Sequence, residues 1–285
     1  MANNGPVTTA TGATTAILVL GMHRSGTSAI TRVLNLLGVE LGSDLMPAGP
    51  DNPAGFWEHH GVVQAHDQLL AALGRSWDDP RAMPEGWLAS DAASHARLVL
   101  KDILRGEFAG VPLWAVKDPR LCRVLPLWRA LLPELGVEPR MLLVSRNPHE
   151  IAGSLQRRDG MPKPISELLW ARYLLDAVSG SEGCKRVLVQ YDALLDNWRA
   201  VVDTLSRDLG LQLPIDARAA AEVDAFLDPR LRHHHSQSNW PEGGFAPVSA
   251  LARGAIDEKA SQAAHAGFRA QVEPSEALVD AYAGL

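Results

Sequence analysis

The sequence predicts a three-layer α/β/α fold, a central parallel sheet covered by helices on both faces, with further helices added around it. Three observations carry that prediction. Short apolar runs alternate with helix-period stretches along most of the chain. A glycine-rich turn directly follows the first of those runs, and a later run breaks on Arg-Asn-Pro before another helix.

Taken in order, residues 1–15 are small, polar and Thr-rich and read as a disordered tail, leaving 16–285 as a single domain. Strands are predicted over 16–21, 113–117, 140–145 and 186–190. Helices are predicted over 25–38, 60–73, 90–105, 121–132, 148–158, 165–179 and 192–209, the last from Leu194, Trp198, Val201, Val202 and Leu205 on one face. Residues 41–56 and 74–87 are rich in Pro, Gly and Asp and too long for plain connectors, which suits loops that cover a substrate. Residues 211–250 read as irregular, followed by two peripheral helices over 251–267 and 274–283. Right-handed crossovers place the strand ends along one sheet edge, where α/β proteins bind ligands.

The first turn is Gly21-Met22-His23-Arg24-Ser25-Gly26-Thr27-Ser28, between the apolar run 17–20 and a helix carrying Ile30, Val33, Leu34 and Leu37 on one face. This is a P-loop-type arrangement. A helix beginning near Ser25 aims its first N–H groups at the loop, and the hydroxyls of Ser25, Thr27 and Ser28 add donors for an anion. A nucleoside-triphosphate loop reads G-x-x-x-x-G-K-[ST]; here Thr27 stands at the lysine position and the cation, Arg24, sits at the crown. The second motif is the run 141–145 followed by Arg146-Asn147-Pro148, with Ser154 two turns into the next helix. Arg146 offers a planar fork of donors to a phosphate, and the Ser154 hydroxyl completes the shell.

On these residues the chain resembles the sulfotransferase family, in its soluble bacterial form. The resemblance implies that Arg24, Ser25, Gly26, Thr27 and Ser28 hold the 5′-phosphosulfate of 3′-phosphoadenosine 5′-phosphosulfate (PAPS), and that Arg146 and Ser154 share its 3′-phosphate. Adenosine 3′,5′-bisphosphate (PAP) would be the product, and no metal would be required. Arg24 would neutralise the leaving oxygen. The segment Lys117-Asp118-Pro119-Arg120 resembles the bacterial members' Lys-Asp-Pro-Arg, with Lys117 clamping the sulfate and Arg120 the acceptor or cofactor. Pro119 falls near the position of the His that serves as base in the cytosolic members. The base is therefore sought at Glu58, which closes the Pro/Gly loop, or second at Asp118, with His59 and His60 beside Glu58. Glu58 also suits a plain dipole-complementing position at a helix start. Tyr191 is a candidate surface for adenine, and Arg230 and Arg232 resemble a late basic loop over the 3′-phosphate. Trp57, Trp77 and Trp87 lie in loops as possible acceptor contacts.

Composition excludes several other classes. With 46% hydrophobic and 21% charged residues over 285, the chain is an ordinary globular one. No run of about 18 apolar residues offers a membrane anchor, and residues 1–15 lack the basic segment of a signal peptide. A net charge of −6 argues against nucleic acid, which needs a positive face. The two cysteines, Cys122 and Cys184, form no disulfide framework, which fits a cytoplasmic protein. His233, His234 and His235 are consecutive and point in different directions, so they do not make a metal shell. The acceptor is expected to be a hydroxyl or amine of a sugar or small molecule. Two alternatives remain: a P-loop kinase using Mg-ATP, with Ser28 and Asp118 holding the ion, and a non-catalytic nucleotide-binding module.

Overall fold

The computed structural model describes residues 8–9, 13–50, 52–227 and 246–252. In chain order these form β1 (Thr8–Thr9), β2 (Thr15–Leu20), α1 (Thr27–Leu36), α2 (His60–Ala72), a 3₁₀ turn (Trp87–Ala89), α3 (Asp91–Phe108), β3 (Leu113–Lys117), α4 (Leu121–Glu134), β4 (Glu138–Ser145) and α5 (Pro148–Asp159). Then come α6 (Lys163–Gly180), β5 (Arg186–Gln190), α7 (Tyr191–Asp196), α8 (Trp198–Leu209), β6 (Leu211–Gln212), α9 (Ala217–Phe226) and α10 (Ala246–Ala252). The fold is α/β, with four parallel strands ordered β3-β2-β4-β5.

Strand periodicity divides the core into two layers. On β2, Ala16, Leu18 and Leu20 join the cluster built with α3, α4 and α6, while Ile17 and Val19 join the one built with α1 and α8. The four strands carry apolar residues on both faces because helices cover both. From β2 the chain steps to β3 on one side; from β4 it steps to β5 on the other. The crevice between the ends of β2 and β4 is thus the point where strand order reverses, and both anion motifs leave the sheet there.

Several expectations are corrected. Thr8–Thr9 pair antiparallel with β6, and Thr15 opens β2, so these parts of the expected tail are strand. Helix α1 starts at Thr27, not near Ser25, because Gly26 is in the left-handed region at φ 95°. The run 192–209 is two helices, since Asn197 leaves helical geometry and its side chain accepts from the Ala200 N–H to cap α8. Residues 211–250 are not irregular throughout: Asp216 accepts from the Ala219 N–H and starts α9. Arg230, Arg232, His233–His235 and the helix expected over 274–283 lie outside the described residues, as does the 251–267 helix apart from 251–252. Among the described residues no helix is long and apolar enough to cross a membrane.

Candidate active site

The first cradle is built by backbone that tolerates few side chains. At Gly21 a Cβ would stand 2.8 Å from the Ser25 hydroxyl, the Thr27 methyl and the Val144 carbonyl. At Gly26 it would stand 2.1 Å from the Tyr191 ring. Arg24 itself sits at φ 68°, a strained position for a non-glycine residue that recurs at ligand sites. The N–H of Ala29 already donates to the Gly26 carbonyl at 3.1 Å, so the N–H groups of Thr27 and Ser28, which by position lack a helical acceptor, are the ones left for an anion. Gly26→Ala is expected to cost about 2–5 kcal/mol in urea unfolding, combining backbone strain with displacement of Tyr191.

The second cradle locks onto the first. Asn147 caps α5 by accepting from the His149 N–H at 3.0 Å, and Pro148 supplies the first helical φ. Arg146 leaves β4 with its Nε on Glu150 at 2.8 Å, its Nη1 donating to the Arg24 carbonyl at 3.3 Å, and its guanidinium 4.7 Å from the Tyr191 ring centre. Arg24 Nε in turn donates to the Ser154 hydroxyl at 2.8 Å. Residues 130 positions apart thus meet, and Arg24, Thr27, Ser28, Arg146, Ser154 and Tyr191 line one cavity of about 540 Å³. Tyr191 is held between Gly26 and Arg146, so it braces the two cradles as well as lining the cavity. Trp57, expected on the acceptor side, lines this cavity with Leu195 and Phe226. Ser25 does not line it: its hydroxyl is buried, with no hydrogen-bond partner among the described residues.

A second cavity of about 460 Å³ lies across the loop, sharing Arg24, Thr27, Ser28 and Asn52 with the first. Glu58 and Lys117 form a buried ion pair on its wall. Lys117 reaches it from the end of β3, and Glu58 from a chain that folds back so that Met46 N–H donates to the Glu58 carbonyl at 2.8 Å. Glu58 therefore precedes α2 by two residues, with its carboxylate committed to a lysine and not to a helix dipole. Burial pushes the Glu58 carboxyl above its ordinary value, against the pull of Lys117. The Ser28 hydroxyl joins everything at the partition. It accepts from Lys117 Nζ at 3.2 Å and Asn52 Nδ2 at 3.3 Å, and donates to the Phe56 carbonyl at 3.3 Å.

Asp118 is corrected as a candidate base. It is fully buried, with Oδ2 2.6 Å from His66 Nδ1 and Oδ1 accepting from the Arg120 backbone and guanidinium. These partners hold it below the ordinary carboxylate range despite its burial, and it lines neither cavity. The indole of Trp128 donates to His66 Nε2 at 2.8 Å, which requires His66 to carry its proton on Nδ1 and donate it to Asp118. The network braces Arg120, which does line the second cavity. His59 and His60 line neither cavity; the first is buried near Glu107, the second exposed near Asp44.

His23 and Arg158 also lie on the second wall, and sequence reasoning passed over the first of them as a site residue. Trp77 lies there too, 4.6 Å from the His23 ring, whereas Trp87 lines neither cavity. The 74–87 loop that carries Trp77 is pinned through its carbonyls. Arg123 donates to those of Asp79 and Arg81, Arg172 to that of Pro80, and the Tyr173 hydroxyl to that of Trp77.

No protein-family model matches the chain, and no curated protein is a significant match. Solved structures similar to it include three sulfotransferases. One is a sulfotransferase domain from the curacin biosynthetic pathway, at 18% identity over 72% of this chain and 76% of that one, with a TM-score of 0.41. Another is the sulfotransferase domain of the Synechococcus PCC 7002 olefin synthase, at 16% identity over 89% and 94%, with a TM-score of 0.47. The third is a sulfotransferase from Mycobacterium tuberculosis H37Rv, at 15% identity over 85% and 76%, with a TM-score of 0.46.

Proposed function

We propose that the protein transfers a sulfuryl group from PAPS to a hydroxyl or amine of a sugar or small molecule, releasing PAP. The observation that carries this reading is the Arg24–Ser154 hydrogen bond, which unites two anion cradles in one cavity while the loop between them walls off a second. Two separate phosphate sites on one cavity suit a nucleotide phosphorylated at both ends. Arg146, Ser154 and Arg157 would hold the 3′-phosphate, and Trp57, Leu195 and Phe226 offer an apolar seat for the base.

When bound, the donor supplies a sulfuryl group with less negative charge than a phosphoryl, so side-chain cations and loop N–H groups suffice to support in-line transfer. Arg24 borders both cavities and is placed to neutralise the leaving oxygen. Lys117, held over Ser28 by Glu58, reaches the same partition from the acceptor side. The acceptor's proton goes to a base on that wall, and of the four candidates read from the sequence only Glu58 lines it.

A kinase reading would need Asp118 free to hold magnesium, but its oxygens are taken by His66 and Arg120. A bare binding module would have no need of a buried ion pair facing a second cavity. Calorimetric titration with PAP tests the proposal: a Kd of order 1–10 μM is expected, together with metal-independent release of PAP from PAPS. Magnesium-dependent ATP turnover without PAP binding would overturn it.

A further inference from the structure

The first cavity carries one charge that opposes the ligand proposed for it. The charged residues on its wall are Arg24, Arg146, Arg157 and Glu150, so Glu150 is the one carboxylate among the described lining residues. Asp192, the other acid close to the Tyr191 ring, lines neither cavity. The Glu150 side chain is only 6% exposed, so salt and water screen its charge little. A buried anion beside a phosphate seat disfavours the phosphate, and the contacts of Glu150 show what it does in return.

Glu150 is the third residue of α5, four positions after Arg146, and its Oε2 accepts from Arg146 Nε at 2.8 Å. Arg146 is held at two further points. Its Nη1 donates to the Arg24 carbonyl at 3.3 Å, and its guanidinium stands 4.7 Å from the Tyr191 ring centre. With Nε and one Nη1 N–H engaged, the outer edge of the fork remains, made of Nη2 and the second Nη1 N–H, and Nη2 has no hydrogen-bond partner among the described residues. That edge is the one a pair of phosphate oxygens bridges in a bidentate contact. Without a partner on Nε the planar group would be free to turn about its stem, and the edge would lose its fixed attitude.

We propose that Glu150 is the positioning residue for Arg146 and, by the same charge, the group that limits how tightly the 3′-phosphate is held. This assignment rests on the PAPS reading. The two roles act in opposite directions. Through its oxygen Glu150 fixes the guanidinium for bidentate contact, which favours the phosphate; through its charge it neutralises part of Arg146 and repels the incoming anion, which disfavours it. PAP carries the same 3′-phosphate as PAPS, so the restraint falls on the product as well as on the donor and helps PAP leave after transfer.

Calorimetric titration of Glu150→Gln and Glu150→Met with PAP, and with adenosine 5′-monophosphate (AMP), which lacks the 3′-phosphate, separates the two roles. Glutamine keeps an oxygen for Arg146 Nε without the charge; methionine has a similar length and offers neither. Glu150→Gln is expected to bind PAP about 3- to 10-fold more tightly than the unsubstituted protein, and Glu150→Met about 5-fold or more weakly than Glu150→Gln. AMP affinity should stay within about 2-fold in all three proteins, because the altered contact is made only to the missing group. Glu150→Ala takes the place of the methionine variant should that one misfold. A glutamine variant no tighter than the unsubstituted protein would overturn the restraint, and equal PAP affinities for the glutamine and methionine variants would overturn the positioning role. Parallel shifts for AMP would reduce Glu150 to an ordinary acid at a helix start. Should the unsubstituted protein bind PAP no more tightly than AMP, the PAPS reading itself fails and the assignment of Glu150 goes with it.

Discussion

Arg24→Gly is expected to reduce sulfuryl transfer by about 1000-fold while leaving stability within about 1 kcal/mol of the starting protein. The two effects separate because Arg24 adopts φ 68°, a conformation glycine takes without strain. Relief of that strain offsets the extra chain entropy that glycine brings to the unfolded state. The catalytic loss has two sources. Arg24 borders both cavities, where on the proposed function charge would leave the transferring group, and its Nε holds the Ser154 hydroxyl, on the side proposed for the 3′-phosphate. Thermal unfolding and single-turnover release of PAP measure the two quantities independently. A large drop in melting temperature alongside lost activity would show that Arg24 is chiefly a structural brace.

Lys117→Met should produce the opposite pattern, lost activity with lost stability. Lys117 is 2% exposed and Glu58 6%, so removing the cation strands a buried carboxylate, at a cost of about 3–5 kcal/mol at neutral pH. The pH dependence has a definite sign. Without the lysine, Glu58 binds a proton more tightly in the folded chain than in the unfolded one, because burial already raises its affinity. The deficit is therefore full above the raised Glu58 value and shrinks as pH falls through it toward the ordinary carboxylate range. Adding Glu58→Gln to Lys117→Met should recover most of the stability at neutral pH but none of the transfer. Urea unfolding across pH follows the first effect, and equal deficits at all pH values would refute the buried-carboxylate account.

The framework was legible because the local signals and the global fold agree. The strands over 113–117 and 186–190 appear where their apolar runs lie, and the helices fall close to their periodic stretches. Helix α9 escaped because it is built on Ala217, Ala219, Ala220 and Ala221, whose weak hydrophobic contrast gives little period to read. The break at Asn197 was hidden by apolar residues that keep their spacing across it. At the site, Arg24, Arg146 and Ser154, which are read from separate motifs, come into contact. Asp118 misled because its fate is decided by His66, 52 positions away, and no local pattern announces that pairing. His23 was overlooked for the same reason: its surroundings come from Trp77, Arg158 and Tyr173, each contributed by a different part of the chain.

On the proposed function, the carbonyl anchors on the 74–87 segment bear on how acceptor choice could be changed. Four backbone oxygens there are claimed by side chains of α4 and α6, so insertions or deletions would break several tethers at once. New acceptor preferences should therefore arise by exchanging side chains such as Trp77 or Met46 on an unchanged frame. A library that varies those two positions should yield more folded members than one that varies segment length.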